Sequence, residues 1–348
     1  MTITIQCSMR ILLNTLYVTV PEAYLSKDGQ NVVVSVEGQE ALRVPIHNLE
    51  GIVSFSHSGA SPGLMKLCAD SGVTLSFLSP NGRFIGRFQG PVHGNVLLRR
   101  AQYFLSENED MSLHLSQLFV AGKVRNYRNI LRRCIRENGE NAEVAEAATV
   151  LDRDRKKILE ASSKESVRGI EGDAANAYFG VFSHQILNQK EYFSFTGRNK
   201  RPPRDAVNAM LSFAYSLIAG EVTAALETVG LDPYVGFLHT LRPGRPSLSL
   251  DLMEEFRAYL GDRLVLSLIN RRQMTSKHFL PQGSEGISMT DEGRKIFLTA
   301  WQSRKREIVT HPYLNEKVCI GLLPYAQAML LARYIRGDID DYPVFLVP

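Results

Sequence analysis

The spacing of apolar residues changes once along this chain, near residue 95, and that change most constrains the fold. Before it, short β-type segments such as NVVVSVE from Asn31 and GVTLSF from Gly72 are separated by glycine-containing turns. One helix is predicted there, at Ser61 to Ser71, because Ser-Pro is a helix-start signal. After residue 95 the apolar residues recur every 3.6 positions. The pattern predicts an α+β protein.

We therefore expect a small N-terminal β-rich domain over residues 1–95 and a larger, all-α helical domain over residues 96–348. The long stretches of helical period are Arg99–Arg136, Ala142–Leu187, Arg204–Gly230, Ser247–Asn270 and Met289–Arg336. The last residues, from Gly337 to Pro348, are expected to form an irregular tail.

Two apolar runs are candidates for membrane segments, and both are too short. The run from Ile11 to Val20 has β-branched character that favours a strand, and it lacks a signal-peptide cleavage site. The run from Ala206 to Gly220 is interrupted by polar residues, and a spanning helix needs ~20 residues. No pair of cysteines has CxxC spacing among Cys7, Cys68, Cys134 and Cys319. A reduced, cytoplasmic protein without a membrane partner is therefore expected.

The net charge hides a segregation of basic residues. Forty basic and 36 acidic residues leave only +4, which does not by itself indicate nucleic-acid binding. Basic clusters nevertheless recur at Arg125, Arg128, Arg132 and Arg136, at Arg198 to Arg204, at Arg242 and Arg245, and at Arg271, Arg272, Lys277 and His278. Charge runs are usually solvated faces, but their recurrence around the acidic residues described next favours a substrate with a phosphate backbone.

A carboxylate lies on the apolar face of a predicted helix. At 100° per residue, Glu171 falls within the same arc of about 120° as Val167, Ala174 and Tyr178. A carboxylate in that position must be paired, hydrogen-bonded or bound to a metal. The alternative to a functional role is a buried salt bridge to an arginine of another helix.

A second candidate site lies in GFLHTLRPGRPSLSLDLMEEFR, from Gly236 to Arg257. His239 precedes a Pro-Gly turn, and the following helix carries Asp251 and Glu254 on one side. An imidazole with two carboxylates is a ligand set for manganese or magnesium. The alternatives are a structural histidine and acids that only stabilise the start of a helix. Helical geometry does not decide between Glu254 and Glu255 as the partner of Asp251.

Three motifs in this order resemble the CRISPR-associated Cas1 family of spacer-acquisition integrases and endonucleases. They are EGDAANAYF at Glu171, RPPRDAVNAMLSFAY at Arg201 and the segment from Gly236. The N-terminal text from Met9 and the tail ARYIRGDIDDYPVF also fit, and the variety of type I-C systems is the most similar. Residues 1–8 precede the start usual in the family, so Met9 is an alternative initiator or the prefix is an added feature.

The resemblance implies a metal site and a reaction. Glu171, His239 and Glu254 match the residues that hold Mg²⁺ or Mn²⁺, and Asp251 completes or orients the site; the family pattern favours Glu254 over Glu255, and some members carry Asp there. The reaction implied is phosphodiester transfer without ATP, with the 3′-end of a DNA fragment or water as the attacking group. The residues expected to contact DNA are Arg201, Arg204, Arg242, Arg245, Arg257 and Lys277.

The resemblance also implies partners: double-stranded DNA as prespacer and repeat array, a second copy in a homodimer, and the small Cas2 protein in a heterohexamer. Whether Cas2 and a Cas4 nuclease are needed for activity stays open. Two other functions fit the same residues. One is a metal-dependent nuclease that only hydrolyses DNA or RNA, and the other is a non-catalytic DNA-binding scaffold whose acids are paired with arginines.

Overall fold

The computed structural model describes residues 9–12, 14–49, 51–78, 84–88, 95–199, 202–282 and 286–347. Its strands are β1 (Met9–Leu12), β2 (Thr15–Val18), β3 (Tyr24–Asp28), β4 (Asn31–Val36), β5 (Gln39–Pro45), β6 (Gly51–Ser54), β7 (Thr74–Leu78), β8 (Phe84–Phe88), β9 (Phe279–Gln282), β10 (Gly286–Met289), β11 (Ile308–His311) and β12 (Glu316–Cys319). Its α-helices are α1 (Pro62–Asp70), α2 (Asn95–Glu107), α3 (Glu109–Asn138), α4 (Ala142–Leu159), α5 (Lys164–Gly180), α6 (Ala206–Val229), α7 (Ser247–Leu252), α8 (Arg263–Asn270), α9 (Asp291–Lys305) and α10 (Leu323–Arg336).

The N-terminal region contains two sheets and one helix. The larger sheet has the order β1-β2-β6-β7-β8, in which β2, β6 and β7 run parallel and both edge strands are antiparallel. The smaller sheet is the antiparallel meander β3-β4-β5. The predicted helix is confirmed as α1, with the Ser61 side chain accepting a hydrogen bond from the Leu64 N–H. The apolar run from Ile11, predicted as one strand, instead contributes to the β1-β2 hairpin, because Asn14 takes a positive φ of 60°.

Each face of the larger sheet covers a different part of the molecule, since side chains alternate between faces along a strand. Leu16 and Ile52 belong to a core cluster with α1 and the smaller sheet. Tyr17, Val53 and Phe55 belong instead to the core of the helical region. The N-terminal sheet is therefore one wall of the larger core.

In the helical region, α3 packs against both α4 and α5. Capping side chains mark the helix starts: Asn108, Asn141, Ser163 and Asp205 accept backbone N–H groups at the starts of α3, α4, α5 and α6. Asn108 and Ser163 interrupt predicted stretches, whereas Asn141 and Asp205 lie at predicted starts. The predicted stretch from Met289 to Arg336 is divided between α9 and α10 by the β11-β12 hairpin. A second hairpin, β9-β10, precedes α9. The region after residue 95 is thus mostly helical with two hairpins, and the predicted fold class is confirmed.

The apolar run from Ala206 lies within α6, which at 24 residues is longer than the run and is apolar enough to cross a membrane by composition alone. Most of its apolar window is buried inside the protein. Its residues Ala214, Ile218 and Val222 are fully buried in the larger core. In this structure α6 is therefore a buried helix of the protein core.

The predicted helix from Ser247 to Asn270 is helical but irregular. After α7 the chain makes a 3₁₀ turn at Met253–Glu255 and a π-helical segment at Arg257–Asp262 before α8 begins. Each change of period rotates the following side chains around the helix axis. This irregularity decides which acidic residues face the candidate site.

Candidate metal centre

Glu171 and Glu254 converge on one cation, the ammonium group of Lys123. Lys123 lies on α3 and is 5% exposed. Its Nζ donates a hydrogen bond to Oε1 of Glu171, on α5, and lies 2.8 Å from Oε2 of Glu254, in the 3₁₀ turn. These contacts fit both a metal-binding role for Glu171 and the alternative of a buried salt bridge, although the partner is a lysine and not an arginine.

The carboxylate of Glu254 is buried in a strongly positive environment. Its Oε2 also lies 2.8 Å from Nε of Arg257. Burial raises the pKa of Glu254, but the charges of Arg257 and Lys123, with a contribution from His239, outweigh burial and lower it to about 2. Glu254 is therefore ionised at neutral pH, as a metal ligand must be.

Lys123 is charged for the complementary reason. Burial lowers its pKa, yet the carboxylates of Glu254 and Glu171 outweigh burial and hold it above its ordinary value. The Lys123 ammonium also lies over the ring of Tyr127, 5.7 Å from its centroid. The charges that surround this position thus stabilise a cation between the two carboxylates.

Asp251 holds His239 in place. Its buried carboxylate accepts hydrogen bonds from the backbone N–H groups of Phe237 (2.6 Å), Leu238 (3.0 Å) and His239 (3.0 Å). The same carboxylate lies 2.5 Å from Nδ1 of His239. A carboxylate on Nδ1 leaves Nε2 as the ring nitrogen that can bind a ligand. Asp251 is therefore a residue that orients the imidazole.

Glycine at position 236 permits this arrangement. A Cβ atom there would lie 2.6 Å from Oδ2 of Asp251 and 2.7 Å from the backbone carbonyl carbon of Ser247. Because such distances are too short for any side chain, only glycine lets the loop before His239 approach α7 this closely. His239 then lines a cavity of about 540 Å³ together with Arg168 and Leu241.

Glu255 points away from the site, which answers the question that helical geometry left open. Its carboxylate accepts hydrogen bonds from the backbone N–H of Phe345 (2.6 Å), the Tyr342 hydroxyl (2.7 Å) and the Gln327 amide (2.9 Å). Burial raises the pKa of Glu255 to about 8. The 3₁₀ turn thus directs Glu254 to Lys123 and its neighbour to the C-terminal tail, whose packing was not foreseen as part of the core.

The donor set fits a divalent cation. Two carboxylates already surround one positive charge, and an imidazole close enough to affect the pKa of Glu254 presents Nε2. Within the described part of the chain, no three His, Cys, Asp or Glu side chains are grouped closely enough to hold a metal ion, so it is the chemical type of these donors, and not their present spacing, that suits a divalent cation. A divalent ion at this position would therefore take the place of the Lys123 ammonium.

The predicted DNA-contacting residues differ in exposure. Arg204, Arg242 and Lys277 are exposed and Arg245 is half-buried, whereas Arg201 lies outside the described residues. Arg257 is not on that surface: its side chain is 14% exposed, pairs with Glu254 and stacks 4.7 Å from the ring centroid of Tyr215. Because Arg257 is buried among these charged and aromatic side chains, it is not exposed as Arg204 and Arg242 are.

Sequence reasoning missed Lys123. A signal was present, because this lysine interrupts the apolar face that Val120, Val124 and Tyr127 form on α3, as Glu171 interrupts the face of α5. Charged residues on two apolar faces indicate a buried pair. No local rule, however, assigns such a lysine to a carboxylate 48 residues away.

Several curated proteins that are similar to this chain have endonuclease Cas1 in their names. This chain is 50% identical to CRISPR-associated endonuclease Cas1 1 of Chlorobaculum tepidum, over 97% of this chain and 99% of that protein. It is 48% identical to CRISPR-associated endonuclease Cas1 2 of Rhodospirillum rubrum, over 96% and 98%. A CRISPR-associated exonuclease Cas4/endonuclease Cas1 fusion of Geobacter sulfurreducens is 36% identical over 95% of this chain and 60% of the fusion.

Solved structures share the fold. A casposase bound to integration product has a TM-score of 0.79 at 23% identity, covering 95% of this chain and 98% of that one. A Cas1 protein from Thermotoga maritima has a TM-score of 0.76 at 25% identity, covering 93% and 96%. A partial Cas6-RT-Cas1–Cas2 complex has a TM-score of 0.75 at 18% identity, covering 95% and 97%. The family model described as CRISPR associated protein Cas1 matches residues 16–303, and the chain belongs to the Cas1 family.

Proposed function

We propose that this protein is a divalent-metal-dependent DNA integrase and endonuclease of CRISPR adaptation, which inserts short DNA fragments into the repeat array by transesterification. The observation that carries the proposal is the convergence of Glu171 and Glu254 on one cation. The names of the curated relatives, which are CRISPR-associated endonucleases, support it. So does the fold shared with a casposase bound to integration product.

Glu171, His239 and Glu254 would hold Mg²⁺ or Mn²⁺. The bound ion supplies Lewis-acid polarisation of a phosphate oxygen and a lower pKa for the attacking hydroxyl or water. Asp251 would accept a hydrogen bond from Nδ1–H of His239, which leaves the lone pair of Nε2 available to the ion. Lys123 keeps the two glutamate carboxylates together before the ion binds, because it neutralises their mutual repulsion.

DNA is expected to bind through its backbone. Arg204, Arg242, Arg245 and Lys277 supply positive charge on accessible or partly accessible side chains, and Arg201 is proposed with them from the sequence. Arg257 acts differently, because it holds the ionised carboxylate of Glu254 from within the core. We therefore expect substitutions at Arg242 and Arg245 to weaken DNA binding and substitution of Arg257 to disturb the metal site.

The proposed partners follow from the relatives. A solved complex that shares this fold contains Cas1 with Cas2, and curated relatives include fusions of Cas4 with Cas1. We propose that this chain works as a homodimer with Cas2 on prespacer and repeat DNA in the cytoplasm, and that a Cas4 nuclease assists it. The type I-C assignment stays a prediction.

A joining assay tests the proposal. Wild type, Glu171→Ala, His239→Ala and the control Asp173→Ala, an exposed acid two positions further along α5, are mixed with a short duplex, repeat-bearing supercoiled DNA and Mn²⁺. We expect joining by wild type and Asp173→Ala, and its loss in the other two variants and in EDTA. Unchanged joining by both site variants would remove the assignment of these residues.

The same assay separates the other functions. Products that are cut but never joined would identify a nuclease that only hydrolyses. If calorimetry with Mn²⁺ detects no binding that depends on His239, the chain is a scaffold in which Lys123 and the carboxylates form a structural ion pair.

A further inference from the structure

A second cavity lies between the C-terminal half of α3 and α8, away from the candidate metal centre. It has a volume of about 230 Å³, and Arg133, Arg263, Arg271 and Gln185 are among its lining residues. Arg133 is ten positions beyond Lys123, or about 15 Å further along α3 at 1.5 Å per residue. The cavity shares no lining residue with the one beside His239.

Positive charge in this cavity exceeds the negative charge available to balance it. Arg133 pairs with Glu137 at 2.6 Å. Among the described residues, no carboxylate lies within ion-pair distance of Arg263 or Arg271. Burial, followed by the neighbouring charges of Arg304 and Arg133, lowers the pKa of Arg263. An anion in the cavity would relieve this repulsion.

A buried amide provides a second, independent sign of a ligand. Gln185 lines the cavity and is 5% exposed, and its Nε2 has no hydrogen-bond partner among the described residues. An unpaired buried donor costs about 1–3 kcal/mol, so such a group is expected to meet a ligand or water. Glu137 also lines the cavity, but its single carboxylate faces three guanidinium groups and an amide N–H. This surplus of donors is the chemistry that recognises an oxyanion.

The size of the cavity limits the ligand. It is smaller than the ~300–1,000 Å³ of pockets for drug-sized molecules, so a whole coenzyme does not fit inside. A tetrahedral anion with several acceptor oxygens does fit, and guanidinium groups bind phosphate in a bidentate manner. The arginines that the sequence shows on the same helix, Arg132 and Arg136, extend the positive charge past the rim.

We propose that this cavity binds a phosphate group, either that of a nucleic-acid strand or a free phosphate, at a site separate from the candidate metal centre. The inference goes beyond the proposed function and does not depend on metal binding. Arg263 and Gln185 hold the anion from inside, and Arg271 contacts it from the rim.

Isothermal titration calorimetry with inorganic phosphate, in chloride buffer of constant ionic strength with EDTA, tests the site. Wild type should show saturable binding, and Arg263→Met and Arg271→Gln should weaken it roughly tenfold or more. Lys295→Gln, which removes an exposed positive charge on α9 away from the cavity lining, should bind as wild type does. Arg271 is exposed, so its variant is expected to fold even if Arg263→Met does not.

Two further arms identify the source of the phosphate. If a short fluorescent DNA single strand competes with phosphate for wild type, and Arg271→Gln binds that strand more weakly, the phosphate belongs to a nucleic-acid strand. If the variant loses only inorganic phosphate, the ligand is a free phosphate. The proposal is overturned if wild type shows no saturable phosphate binding, if both cavity variants bind as wild type does, or if acetate binds equally well.

Discussion

The buried ammonium of Lys123 sets the electrostatics of the candidate metal centre at the scale of single residues. It contacts carboxylates from two elements that are distant in the sequence, and the buried charges of Lys123 and Glu254 keep each other ionised. Removing one partner of a buried ion pair typically costs ~3–5 kcal/mol, because the remaining charge is uncompensated. The lysine is therefore the residue whose substitution most directly separates a structural ion pair from a metal site.

Lys123→Met is expected to lower the free energy of unfolding in EDTA by about 3 kcal/mol. Added Mn²⁺ should restore more stability to this variant than to wild type, because the ion replaces the missing positive charge without displacing an ammonium group. Urea unfolding followed by circular dichroism, with and without Mn²⁺, measures both effects. The control is Lys277→Met, at an exposed lysine. If Mn²⁺ stabilises Lys123→Met no more than it stabilises wild type, the lysine and the ion do not occupy the same position.

At the scale of elements, the π-helical segment before α8 buries a carboxylate among tyrosines. Asp262 accepts hydrogen bonds from the hydroxyls of Tyr215 (2.6 Å) and Tyr178 (3.0 Å). Tyr178 stacks on Tyr127, with ring centroids 3.8 Å apart, and Tyr127 lies beneath the Lys123 ammonium. Burial raises the pKa of Asp262 to about 6, although both tyrosine hydrogen bonds oppose the increase.

This raised pKa predicts a pH dependence of stability. The unfolded carboxyl group loses its proton near its ordinary pKa of 3.8, whereas the folded one keeps it until about pH 6, so stability falls as the pH rises through that window. Asp262→Asn should remove roughly 1–3 kcal/mol of this dependence. Urea unfolding at a series of pH values measures the slope. Asp173→Asn, in an exposed position, should leave it unchanged, and parallel curves for Asp262→Asn and wild type would refute the prediction.

The C-terminal tail is an element of the core. Phe345 is fully buried and lies 5.7 Å from Phe256, 5.6 Å from Tyr259 and 5.9 Å from His311, between ring centroids. The Asn126 side chain, on α3, donates to the Phe345 carbonyl and accepts the Val347 N–H. The tail therefore closes the core directly behind the 3₁₀ turn that carries Glu254.

Phe345→Ala is expected to lower the free energy of unfolding by about 3–5 kcal/mol, because it leaves a cavity beside the rings of Phe256, Tyr259 and His311. Denaturant titration measures the loss. Asp340→Ala, in an exposed part of the same tail, should change stability by less than about 0.5 kcal/mol. A similar, small effect of both substitutions would show that the tail does not pack as described.

At the scale of the whole molecule, the β-rich region and the helical region share one core. Tyr325, on α10, lies 5.7 Å from the ring of Tyr17, on β2, and 5.9 Å from that of Phe55, which directly follows β6. Arg87, on β8, donates a hydrogen bond to the backbone carbonyl of Glu227 on α6. The change of period near residue 95 therefore separates two kinds of secondary structure that are packed against each other.

Two substitutions at Tyr325 test this shared core. Tyr325→Ala should cost about 3–5 kcal/mol and lower the midpoint of a single unfolding transition that includes both regions. Tyr325→Phe should preserve stability or raise it by up to ~1 kcal/mol, because the buried hydroxyl has no hydrogen-bond partner among the described residues. Near-ultraviolet and far-ultraviolet circular dichroism during thermal unfolding report the transitions. Two separate transitions, with only one moved by Tyr325→Ala, would contradict a common core.

The sequence alone predicted what depends on local period and on residue type. The switch from strand to helix, the start of α1 at Ser61 and the family motifs are properties of neighbouring residues, so the fold class and the family were correctly predicted. The four-residue strands of the two C-terminal hairpins were missed, because so short a segment has no resolvable period.

Only the tertiary structure decided which side chains meet. Glu254 and Glu255 are adjacent in the chain, and it is the 3₁₀ turn and the packed tail that direct one to Lys123 and the other to Phe345. Lys123 joined the site because α3 packs against α5, a contact between residues far apart in the sequence. The local sequence pattern indicates on which face of a helix a residue lies. Its charged partner, however, is on another element, and only long-range packing determines which element that is.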